Sequence, residues 1–103
     1  MMETDAVQSV RRIVERYDLS KECMREVAVI LREALYRMTH LVSLCDRDIL
    51  CTDDATFVAH VRQINHLQTR AIAVLQEEGV QRRDIDHLVT RLLALFEKQG
   101  AGW

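Results

Sequence analysis

From Lys21 to Leu50 the chain offers nothing that would stop a helix, and its apolar residues recur every seven positions. Met24, Leu31, Met38 and Cys45 form one series, Ala28, Leu35, Val42 and Ile49 a second, and Cys23, Ile30 and Leu44 broaden the stripe. A face of that width sustained over four heptads is the pattern of a bundle helix with coiled-coil-like packing. At about thirty residues it would run roughly 45 Å. Ser20 is a good N-cap for it, with Leu19 and Met24 at the two positions of a hydrophobic staple.

Cys51-Thr52-Asp53-Asp54 is the clearest break in the chain. Thr52 can cap a third helix, and two aspartates in its first turn suit the positive end of the helix dipole. The stripe of this helix is Phe57, Val58, Val61, Ile64, Leu67, Ala71, Ile72, Val74 and Leu75, with Asn65 and Gln68 on or beside it. It extends to about Glu78, and Gly79 stands where a left-handed C-cap belongs. A fourth helix spans about Gln81 to Lys98 on Ile85, Leu88, Val89, Leu92, Leu93, Leu95 and Phe96. The first helix, Asp5 to Tyr17, repeats Ala6, Val7, Val10, Ile13, Val14 and Tyr17 at three- and four-residue steps behind a Thr4 cap. Residues 99–103 read as a frayed tail.

Composition agrees with helices throughout. Proline is absent and glycine occurs three times in 103 residues, far too few turn residues for an all-β domain. A hydrophobic share of 49% with a net charge of −2 excludes a disordered chain. No apolar run is long enough to span a bilayer. The fold expected is all-α: one domain over residues 1–103, an up-down bundle of four helices, with a long antiparallel hairpin of helices 2 and 3 flanked by the shorter helices 1 and 4.

Chemistry finds few candidates. Cys23, Cys45 and Cys51 are odd in number and lack CxxC spacing, and the N-terminus is acidic. An intracellular, reducing compartment follows, the cytoplasm first and the nucleus also open, with the thiols acting as small hydrophobes. His40 and His60 lie at similar distances from the hairpin tip, and with Cys45 they make a conceivable three-ligand zinc site. His87 offers only Asp84-x-x-His87, on a polar helix start, and a di-iron bundle needs two Glu-x-x-His motifs. His66-Leu67-Gln68-Thr69-Arg70 resembles in part the exposed-histidine motif of histidine phosphotransfer domains, with Ala71 where those carry glycine. These four histidines define the alternative reading, a phosphotransfer or metal-binding bundle. Arginines alternate with carboxylates, as in Glu22, Arg25, Glu26, Arg32 and Glu33, so no basic face forms for direct nucleic-acid contact. Neither a cofactor nor a catalytic residue is expected.

The unequal helix lengths point to a different role. Short connections place both flanking helices at the base of the hairpin, the fourth covering about 27 Å and the first about 20 Å of a hairpin of roughly 40 Å. The outer third is left without cover although it is apolar, and an uncovered apolar patch of several hundred Å² marks a binding surface. The contact residues expected there are Leu41, Leu44, Cys45, Ile49, Leu50, Phe57 and Val58. The function expected is that of a non-enzymatic protein-interaction module, an assembly subunit, adaptor or chaperone-like factor, meeting a homodimer mate or a heteromeric helical partner. The competing expectation is a compact bundle, with the first helix lying along the hairpin or the second ending near Asp46.

Overall fold

Ser20 begins the longest helix as its sequence predicts, its Oγ accepting the Cys23 backbone N–H at 3.0 Å. The computed structural model describes residues 5–49, 51 and 53–99. Its helices are α1 (Asp5–Tyr17), α2 (Lys21–Asp46), α3 (Ala55–Glu77) and α4 (Arg82–Gln99). Leu19, the outer member of the staple, is buried, and Met24 packs against the same core. The helices form an all-α bundle in which α2 and α3 make the central hairpin and α4 lies against both.

Three helices end on one device. After α1, Asp18 has φ +51° and the Leu19 N–H reaches back to the Val14 carbonyl at 3.0 Å. After α2, Asp48 has φ +57° and the Ile49 N–H reaches the Leu44 carbonyl at 3.0 Å. After α3, Gly79 has φ +84° and the Val80 N–H reaches the Leu75 carbonyl at 3.2 Å. Each is a Schellman turn, with a left-handed residue followed by an apolar one that folds back over the helix end. The turn at Asp48 corrects two expected boundaries. α2 stops at Asp46, four residues short of Leu50, because an aspartate accepts the left-handed conformation that ends it. The cap of α3 is Asp54 rather than Thr52, and the Asp54 carboxylate accepts the Cys51 N–H at 3.0 Å, closing the turn. Leu50, Thr52, Thr4 and residues 100–103 of the expected tail lie outside the described residues, while Gln99 is the last residue of α4.

The core sits at one end. Leu31 on α2, Leu75 on α3 and Ile85 and Leu88 on α4 have no exposed surface, and Val27, Ala71, Leu92 and Phe96 extend their cluster. On the hairpin the cluster reaches Leu35 and Leu67 and goes no further. α1 departs from expectation. It packs on α4 and on neither helix of the hairpin, so it does not lie along α2. Its last residue supplies the reason. The Tyr17 hydroxyl accepts the Gln81 N–H at 3.4 Å and donates to Asp84 Oδ2, taking the place of a capping box at the start of α4. Arg16 Nη1 reaches the same oxygen at 3.2 Å. Asp84 is the one buried charged residue among those described, and it lies in the first turn of α4, where the helix dipole favours a carboxylate.

The result is open. The whole chain exposes 7285 Å², against roughly 6,000 Å² for an average folded monomer of its mass. Its radius of gyration is 15.1 Å, against about 13 Å for a compact domain of this length.

Two stability predictions follow from these contacts. A Cβ at Gly79 would meet nothing within 4 Å, so Gly79→Ala tests the left-handed backbone alone and should cost about 1 kcal/mol in urea denaturation. The Asp84 carboxyl is held below its usual range, first by the Tyr17 hydroxyl and then by Arg16 and Arg83, against the opposing effect of burial. A depressed value stabilises the fold above the ordinary carboxylate range and is lost as pH falls through it. Asp84→Asn should therefore melt lower than the parent at pH 7, and the gap should narrow steadily in acid.

Candidate functional site

The apolar heptads of α2 do not stop where its cover stops. The Arg32 guanidinium carbon lies 4.7 Å over the Phe96 ring, which sets the last turn of α4 level with that part of α2. Three residues later α4 ends, about 4.5 Å further on. Ala28 and Leu35 pack against the core, whereas Val42, next in their series, is 58% exposed. Leu31 is fully buried, whereas Met38 and Cys45, next in its series, are half-buried. On the facing helix Val58 is 42% exposed, with Phe57 and Val61 half-buried. By heptad position these side chains continue the apolar face of the hairpin beyond the end of α4, and together they are termed the strip.

The expected contact residues divide unequally over this region. Ile49 and Val58 are exposed, and Leu44, Cys45 and Phe57 are half-buried. Leu41 is not available. It is 7% exposed at a level that only α2 and α3 reach, so the facing helix covers it and it belongs to the hairpin seam with Ile64. It is therefore removed from the contact set. Val42 takes its place, one residue and about 100° further around the helix. Ile49 is the more telling case. It holds the same position after its Schellman turn as Leu19 and Val80, both buried in the core. Only Ile49 is left 62% exposed. The motif folds it back over the helix end, and among the described residues nothing lies beyond to cover it.

Charge is distributed with the same asymmetry. Residues 46–54 hold Asp46, Asp48, Asp53 and Asp54 against Arg47 alone. No ion pair among the described residues involves these four aspartates. Elsewhere on the hairpin, Arg37 is ion-paired. Arg37 donates to Glu33 Oε1 at 3.0 Å and across to Gln63 Oε1 at 2.8 Å, tying α2 to α3 just below the strip.

The histidines gather no site. His40 stacks on Tyr36 with ring centroids 6.5 Å apart, on the exposed side of α2. Among the described residues no three His, Cys, Asp or Glu side chains converge as metal ligands, so His40, His60 and Cys45 do not form a three-ligand cluster. His66 is exposed in a hollow of about 290 Å³ beside Arg37 and Arg62, but Arg37 is already engaged by Glu33 and Gln63. His87 is exposed on α4. Cys23 is a core thiol, pushed up by burial and by Glu78 and Glu26, and so poor as a nucleophile. A larger hollow of about 510 Å³ between α2 and α3 has Ile30 and Leu67 as its floor, with Glu22, Glu26, Arg25 and Arg70 around it. With Glu33, its carboxylates outnumber its arginines three to two. Sequence reasoning passed over Val29 and Tyr36, exposed apolar residues of α2. They stand seven apart and off the main stripe, which was the available signal.

Leu41 and Val42 are adjacent, and their truncations should separate seam from strip. Leu41→Ala should cost about 2 to 3 kcal/mol by leaving a cavity, while Val42→Ala should stay within about 0.5 kcal/mol. Denaturant titrations of the two variants measure this. Comparison of the chain with protein-family models, with curated proteins and with solved structures finds no match.

Proposed function

We propose that this protein is a non-enzymatic interaction module, an assembly subunit, adaptor or chaperone-like factor, that receives a helix of another protein chain on the outer part of its hairpin. The observation that carries this reading is the exposure of Val42, Ile49 and Val58 on a track whose inner half is buried under α4. A helix laid there meets the kind of paired groove that α4 fills at the base, and ridges packed into such grooves need no new backbone geometry. Leu44, Cys45 and Phe57, half-buried in the isolated chain, would be the flank of the contact.

The role predicts a separation of binding from stability. Val42→Glu combined with Val58→Glu places charge only on exposed positions, so the melting temperature should change little. Buried unpaired charge would, by contrast, expel any helix docked on the strip. Tagged parent and variant should be expressed in the native cell, and the proteins each retains compared quantitatively. Loss from the variant of proteins retained by the parent supports the role. Equal retention by a folded variant overturns it.

A further inference from the structure

We infer that the occupant of the strip is a short amphipathic helix of a different protein, apolar on one face and lysine- or arginine-rich in the turn that meets the hairpin tip. The inference rests on the docking role above and names the chemistry of its partner. Length comes from the fold. From Leu35, where the core cluster stops, to Asp46, where α2 stops, there are eleven residues, about 16 Å or three turns of helix. The partner helix would need apolar residues at i, i+3, i+4 and i+7 to contact Met38, Val42 and Cys45 on one side and Val58 and Val61 on the other.

Charge selects the partner. Residues 46–54 carry a formal charge of −3 while the whole chain carries −2, so the remainder is +1. The negative charge of the protein is therefore gathered at one end of its apolar strip, within about a Debye length of any helix lying there. A second copy of this chain fits poorly. Paired tip to tip, it would set one acidic cluster against another. Paired the other way, it would set that cluster against the C-terminal end of α4, where the single positive charge of Lys98 stands against the negative end of the helix dipole. A basic helix end meets no such opposing charge, and complementary charge of this kind fixes register and orientation.

The test uses two synthetic fourteen-residue peptides that share a leucine face, one with lysines in its last turn and one with glutamates there, each fluorescein-labelled and titrated by anisotropy with the full chain. The lysine peptide should bind roughly ten-fold more tightly than the glutamate peptide at low salt, and the ratio should shrink at physiological salt. Replacing Asp46, Asp48 and Asp53 by asparagine should bring the two affinities together, with Asp54 left intact because it holds the Cys51 turn. Val42→Glu with Val58→Glu should abolish binding of both. Failure of the lysine peptide to bind, equal affinity for the two peptides, or lysine-peptide binding unchanged by the valine substitutions overturns the inference. So does self-association in sedimentation equilibrium that the valine substitutions remove, because the occupant is then a second copy. That last outcome leaves the docking role standing, whereas the cell-derived comparison above tests the role without regard to the partner's charge.

Discussion

Leu31, Leu75, Ile85 and Leu88 bring three helices together at one end of the molecule, each without exposed surface, and the rest of the architecture follows from where that contact lies. α4 has 18 residues and α2 has 26, so a core centred on α4 cannot extend the length of the hairpin. Burial of about 25 cal/mol per Å² of apolar surface favours every side chain that α4 can cover. Beyond its reach the same hydrophobic force acts with no internal surface to satisfy it. The outer hairpin is held by the seam that includes Leu41 and Ile64 and by the Arg37–Gln63 hydrogen bond. The seam keeps the two helices paired while leaving their outward faces bare.

The three Schellman turns show how local chemistry and packing divide the work. Asp18, Asp48 and Gly79 all enter the left-handed region, and in each case the next residue is apolar. Leu19 and Val80 use that placement to join the core. Ile49 makes the same local turn and finds no core. The same turn closes on an apolar residue in three places, buries it in two, and leaves the third, Ile49, 62% exposed. The Tyr17–Asp84 contact makes the complementary point at the base. It joins residues 67 apart in sequence and draws α1 onto α4.

Much of this was legible in the sequence because periodicity and caps are local signals. The heptads of α2, the Ser20 cap with its Leu19 staple, the glycine after α3 and the full span of α1 are set by neighbours a few residues away. The end of α2 reads at Leu50, with Asp46, where it falls, as the competing reading, because an aspartate in the left-handed region reads like any other aspartate on a helix surface. The seat of α1 was hidden. A short connection predicts a neighbour in sequence, and only the structure shows a tyrosine hydroxyl standing in for a capping box on a distant helix. The exchange of Leu41 for Val42 in the candidate site has a geometric origin. A stripe wide enough for two interfaces does not say which of two adjacent residues faces the hairpin mate and which faces outward.

Placing the buried core at the base and exposed apolar side chains at the tip has a thermodynamic consequence. Sites more than about 10 Å apart with no shared partners contribute nearly independently to stability. Substitutions in the strip can then leave the Leu31–Leu88 cluster intact, and the cluster can drift without altering the strip. The seam residue Leu41 is the exception, since it touches both problems by fixing the distance between α2 and α3 beneath the strip. The spacing of α2 and α3 beneath the strip is therefore set by buried side chains rather than by the exposed ones. A smaller residue at Leu41 would leave a cavity beneath the strip, so the support of the exposed valines depends on the seam.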